Sequence, residues 1–149
     1  MDVKRKVGQL KQLRHLKGEV ILLTQRLERL ETEIEANAHC RWRGRAVVEH
    51  GARLIDLRDR LADRRIRCMA QLDALCGFIE GIEDSRLRQI MAGRYIDGLT
   101  WREVAAHIGE RDEQYPRRLY NRLLAQAELP AALGAYALER REGDEKANR

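Results

Sequence analysis

The sequence has little of what a sheet or a disulfide scaffold needs. Aromatic residues make up 5% of the 149, with a single Phe, and there are two prolines. Leu, Ala, Glu, Arg and Gln recur instead, a mixture of strong helix formers that leaves little to fill a sheet. The expected fold class is therefore all-α. Cys40, Cys68 and Cys76 are odd in number and contain no C-x-x-C pair. Cys68 and Cys76 fall on apolar positions of a helical pattern and read as reduced core thiols. His39 adjoins Cys40, but no second ligand pair follows at a useful spacing, so no metal is expected. No apolar run reaches 18 residues, and the basic start Lys4-Arg5-Lys6 precedes no apolar h-region. Neither a membrane span nor a signal peptide is expected, and the reading is cytoplasmic. There is no Walker loop, no nucleophile triad and no paired-carboxylate arrangement. His15, His39, His50 and His107 are scattered. No enzyme and no cofactor are expected.

What is present is charge and periodicity. Charged residues make up 36% of the chain, the net charge is +5, and Arg outnumbers Lys. Guanidinium forks suit phosphate, so a polyanion partner is one reading and a solvated Arg-rich surface is the other.

Residues 3–37 predict one long helix. Leu13, Val20, Leu27 and Ile34 repeat by seven, and Leu16, Leu23 and Leu30 form a second row three residues behind. These are the a and d rows of a heptad pattern. Residues 1–17 hold six basic side chains against Asp2, while residues 28–35 hold four Glu against Arg29. Around residues 37–51 the pattern fades into an expected connection. It contains Arg41-Trp42-Arg43-Gly44-Arg45, read either as an exposed loop whose Trp caps a hairpin end or as a nucleic-acid or RNA-polymerase contact. Residues 47–82 predict the second long helix, with Val47, Leu54, Leu61, Cys68 and Leu75 in one row and Leu57, Leu72 and Ile79 partly filling its companion. Two such helices fold back as a long antiparallel, coiled-coil-like hairpin. Its stripes also suit pairing with a second copy, so a homodimer through the long helices is expected. The sequence leaves open whether the hairpin is intramolecular or shared between chains.

Residues 83–128 predict a separate module. Asp84 or Ser85 caps a helix whose face carries Leu87, Ile90, Met91 and Tyr95. Asp97-Gly98 ends it. Thr100-Trp101-Arg102-Glu103 fits a capping box and starts a short helix burying Val104, Ala105 and Ile108. Trp101 is expected to cover the junction of the three helices. After the turn Glu110-Arg111-Asp112, a further helix starts with Pro116 in its first turn. Leu119 and Leu123 are expected inward. Arg117, Arg118, Asn121 and Arg122 are expected outward, with Gln114 and Tyr115 near the start. A short helix, a glycine turn and a basic helix make a helix-turn-helix layout whose partner is double-stranded DNA. Arg117 and Asn121 are assigned to base edges, and Arg118 and Arg122 to phosphate. Residues 84–128 carry eight Arg against seven Asp and Glu, a thin positive footprint. Residues 129–149 predict a short helix over 131–141, using Leu133, Tyr136 and Leu138, and a frayed tail.

The strings Ile82-Glu83-Asp84-Ser85-Arg86-Leu87-Arg88-Gln89-Ile90, Arg94-Tyr95-Ile96-Asp97-Gly98-Leu99-Thr100-Trp101-Arg102-Glu103-Val104-Ala105 and Tyr115-Pro116-Arg117-Arg118-Leu119 carry a resemblance. They resemble small phage and prophage proteins similar to region four of sigma-70-type factors. The resemblance implies a transcriptional regulator that binds DNA near promoters and contacts RNA polymerase. It also implies a supporting helix over residues 100–108 and a recognition helix over 112–124. The competing expectation is a structural or assembly protein, an oligomerising coiled coil with a docking module, such as a small DNA-packaging subunit of a phage.

Overall fold

The computed structural model describes residues 3–131 and 133. Among them the chain is all-α: α1 (Val3–Leu13), α2 (Leu16–Ala38), α3 (Arg45–Glu80), α4 (Ser85–Tyr95), α5 (Trp101–His107) and α6 (Gln114–Gln126). No helix among these residues is long and apolar enough to cross a membrane. The chain divides into two compact bodies. One comprises residues 18–69; the other comprises residues 1–17 together with 70–149. We call them the paired-helix body and the composite body.

In the paired-helix body the heptad rows become the buried stripe. Leu23, Leu27 and Leu30 are buried on α2, and Leu54 and Cys68 on α3. Asn37 Nδ2 donates to the Val47 carbonyl (3.0 Å), and Arg58 meets Glu31 (3.6 Å). Arg64 reaches Glu19 at 3.9 Å. Ascending positions of α2 thus meet descending positions of α3. Leu57, expected in the companion row, is exposed, and half-buried Arg58 and Arg65 occupy that row instead. Both side chains are partly buried, and that of Arg58 pairs with Glu31.

The connection is shorter than expected, residues 39–44 in place of 37–51. Gly51 is not a loop glycine: it lies inside α3, where a Cβ would stand 2.3 Å from Asn37 Oδ1. A side chain there would have to push the Asn37 amide away from its bond to the Val47 carbonyl. Arg43 Nη1 donates to the carbonyls of Asn37 (2.8 Å) and Ala38 (3.2 Å), satisfying the end of α2. Trp42 does not cap the helix ends; it is 85% exposed.

The composite body departs further from the periodicity. The helix expected over residues 3–37 is two helices, broken at Arg14-His15, where neither Pro nor Gly stands. The cause is tertiary. Lys6, Leu10 and Leu13 of α1 are buried in this body, and Arg14 Nη2 donates to the carbonyls of Gly98 (2.9 Å) and Leu99 (3.2 Å). Residues 1–17 therefore group with residues from 70 onward, not with an 1–82 hairpin as the sequence suggested. Ile79, Ile82, Ile90, Met91, Tyr95, Val104, Ala105, Tyr120 and Leu124 complete the core. Of the short helix expected over 131–141, only Ala131 and Leu133 are described. Leu133 is buried, and its N–H bonds the Pro130 carbonyl (3.1 Å); Tyr136 and Leu138 lie outside the described residues.

Candidate nucleic-acid interface

The candidate face lies on α6, which packs against α1, α4 and α5. Asp84 caps α4, accepting from the N–H groups of Arg86 (2.8 Å) and Leu87 (3.1 Å). Gly98 takes φ 70°, a region L side chains rarely adopt, and turns the chain towards α5. Thr100 caps α5 by accepting from the Glu103 N–H (3.2 Å). Glu103 does not close the expected capping box on the Thr100 backbone. Its carboxylate instead accepts from the Thr100 hydroxyl (3.0 Å).

The acidic turn before α6 has a structural use. Asp112 Oδ1 accepts from the Gln114 N–H (2.9 Å), capping the helix from just outside its first residue, and Asp112 Oδ2 lies 3.2 Å from Arg118 Nη2. Tyr115 is half-buried, with its hydroxyl accepting from Arg86 Nη1 (2.7 Å) and its ring 5.6 Å from that guanidinium. The bond to Tyr115 holds Arg86 above the usual guanidinium range, helped by Glu110 at 3.8 Å.

The inward face of α6 is not the expected Leu119/Leu123 pair, both half-buried, but Pro116, Tyr120 and Leu124. Pro116 sits in the first turn, where its missing N–H costs nothing. Tyr120 joins an aromatic cluster with Tyr95 (5.8 Å between ring centres) and Trp101 (5.2 Å). The Tyr95 hydroxyl donates to that of Tyr120. Burial pushes both phenols above their ordinary range. Trp101, half-buried, thus lies at the junction assigned to it. Tyr120 was missed because it breaks no rule of an amphipathic helix; only its neighbours Tyr95 and Trp101, 25 and 19 positions earlier, identify its role.

At its C-terminal end α6 is closed by a residue far away in sequence. Lys6, 2% exposed, donates from Nζ to the carbonyls of Leu124 (2.8 Å) and Ala127 (2.6 Å). An ammonium there satisfies otherwise unpaired carbonyls and sits at the negative end of the helix dipole. Glu128 stands 3.9 Å from the same Nζ. Nothing in the N-terminal heptads signals this role.

What remains outward on α6 is Gln114, Arg117, Arg118, Asn121 and Arg122, all exposed. The structure separates them. Arg118 is held by Asp112. Arg117 leans over the Trp101 ring (5.9 Å) beside Arg94 (4.9 Å). Arg117 and Asn121 line a cleft of about 100 Å³ together with Lys11, Arg94 and Trp101. Arg122 lies on the same exposed side as Asn121, one residue further round. Burial, then the like charges of Arg14 and Arg117, pull Arg94 below the ordinary guanidinium range. Among the described residues no group of three or more His, Cys, Asp or Glu is placed to hold a metal ion. No family model, no curated protein and no solved structure matches the chain.

Proposed function

We propose that the protein is a DNA-binding transcriptional regulator in which α5 and α6 act as a helix-turn-helix, carried in the same chain as a coiled-coil-like antiparallel helical hairpin. The observation that carries this reading is the outward face of α6: Gln114, Arg117, Arg118, Asn121 and Arg122 stand exposed on one helix whose other face is locked by Tyr95, Trp101 and Tyr120. Such a helix suits the major groove, with Asn121 and Arg117 towards base edges and Arg118, Arg122 and the helix start at Gln114 and Tyr115 towards phosphate. The thin charge of residues 84–128 is supplemented by α1, whose Lys4, Arg5 and Lys11 belong to the same body. The sigma region-four-like, phage-regulator resemblance of residues 82–119 fits the same layout and adds RNA polymerase as a second partner.

A second copy of the chain is part of the reading. Ile21, Leu22, Val48, Ile55, Ile66 and Met69 are exposed large apolar side chains on the two long helices, more than a solvated pair of helices needs to display. A cytoplasmic homodimer with two α6 faces follows. The assembly-protein alternative needs the α6 face covered in an oligomer.

Selection of bound sequences from random duplex DNA by the full-length protein tests the proposal. Recovery of a common motif, with Arg117→Ala and Asn121→Ala each relaxing preference at one position and weakening binding by about 1–3 kcal/mol, is the expected result. Alanine at Arg117, Arg118, Asn121 and Arg122 together, with binding unchanged, would overturn it.

A further inference from the structure

The α6 face ends, on the side towards α1, in the cleft lined by Lys11, Arg94, Trp101, Arg117 and Asn121. Three cations from three different helices meet there, and no carboxylate lines the space. Among the described residues neither Lys11 nor Arg117 has an acidic partner. Arg94 donates from Nη1 to the Leu99 carbonyl (2.9 Å) and has its other donors left for a ligand. Arg14 adds a fourth positive charge close enough to act on Arg94, and its buried Nε has no hydrogen-bond partner. Like charges gathered without a counter-ion repel one another and lower the stability of the free protein; an anion held between them reverses that sign. The Trp101 ring lines the cleft too, 4.9 Å from the Arg94 guanidinium and 5.9 Å from that of Arg117. Asn121 adds a neutral amide that donates to oxygen as well as accepts.

We propose that this cleft is a phosphate-binding site formed by Lys11, Arg94, Arg117 and Asn121, and that its occupant is a backbone phosphodiester of duplex DNA flanking the groove that α6 enters. The proposal rests on the DNA-binding reading above and extends it to α1 and α4, which that reading treats as support. Two of the four residues belong to the outward face of α6, so a phosphate in the cleft lies at the rim of the surface that meets bases. Arg117, whose guanidinium carries five donors, stands at that rim and reaches the phosphate as well as the base edge assigned to it. Lys11 is the residue on which the inference turns, because it is exposed and belongs to a helix that periodicity assigned elsewhere.

The test uses the full-length protein in two arms. In the first, binding of a random-sequence 20-base-pair duplex is titrated across salt concentrations for the wild type, Lys11→Gln and Lys11→Glu. Lys11→Gln is expected to reduce the slope of log affinity against log salt by about 0.9 and to weaken all sequences alike. Lys11→Glu is expected to weaken binding further, with neither variant melting below the wild type, because each relieves like-charge repulsion in the free protein. In the second arm, inorganic phosphate is titrated against a Trp42→Phe protein, in which Trp101 is the sole tryptophan. A saturable change in its fluorescence, weakened severalfold by Lys11→Gln, is expected. Duplex binding whose affinity and slope ignore Lys11 overturns the site and leaves the DNA reading. A saturable, Lys11-dependent phosphate response without any duplex binding overturns the DNA occupant and upholds the phosphate site. Silence in both arms overturns both.

Discussion

The two bodies bury their apolar residues in different ways. Every large hydrophobic side chain exposed among the described residues (Ile21, Leu22, Trp42, Val48, Ile55, Leu57, Ile66 and Met69) lies in the paired-helix body. The largest fully buried side chains, Tyr95, Leu10, Leu13, Leu75, Ile90, Met91 and Leu124 among them, lie in the composite body, with Cys68 the exception. Two helices packed along one stripe cover only the residues between them, whereas helices crossing from several directions enclose a core on all sides. The heptad stripe is therefore only partly covered within residues 18–69, while its members Leu13, Leu16 and Leu75, which lie in the composite body, are fully buried.

The contrast is sharpest where one substitution is made in each body. Leu10→Ala, at a site with no exposure, should cost about 3 kcal/mol in urea denaturation, against about 2 kcal/mol for Leu27→Ala in the paired-helix stripe. Equal losses would mean that α1 packs no better than the hairpin helices. Lys6→Met should come next, at about 2–3 kcal/mol, because it leaves the Leu124 and Ala127 carbonyls without their buried donor. Loss of helix signal before global unfolding would locate the damage in α6. Trp101→Ala removes a half-buried ring from the Tyr95–Tyr120 cluster and should cost about 2 kcal/mol, with an unchanged melting temperature contradicting its structural role.

The pH dependence divides the bodies in another way. Burial, then the facing Glu19, pushes the Cys68 thiol from about 9 up to about 11. Between these values the unfolded chain has lost a proton that the native chain still holds, so stability falls as pH rises through that window. Cys68→Ala should remove that part of the fall, measured as the difference between the two melting curves from pH 8.5 to 11. Parallel curves would mean that the thiol is as accessible folded as unfolded. The smallest effect on chain stability is expected for Ile66→Ser, within about 0.5 kcal/mol, since the side chain is 63% exposed. In sedimentation equilibrium the same variant should shift the proposed dimer towards monomer. A concentration-independent monomer mass for the wild type would end the dimer reading.

How much was legible differs in the same way. The α2 and α3 stripes, the Asp84 and Thr100 caps, the Gly98 turn, Pro116 in a first turn and the junction role of Trp101 all follow from spacing or from rules about single residues. The connection was read too long because Gly51 looked like a loop residue. Its place beneath Asn37 depends on how closely two helices approach, which no local pattern encodes. Tyr120 was read past because Leu119 and Leu123 are the more hydrophobic choice on either side of it, while the aromatic partners that pull it inward come from other helices.

By itself the sequence determined helical character, the ends of α4 and α5 and the outward set on α6, because propensity, capping and amphipathic spacing act within a turn or two of the chain. Only the tertiary structure decided that residues 3–13 leave the long helix they appear to begin. One buried ammonium finding two carbonyls 118 and 121 residues away, and one guanidinium reaching the Gly98 and Leu99 carbonyls, outweigh the continuity of a helix that nothing local interrupts. Those contacts are long-range and polar, so no periodicity announces them. They also bring Lys11 to Arg94 and Arg117, completing a cluster of charge that is scattered over more than a hundred positions in the linear chain.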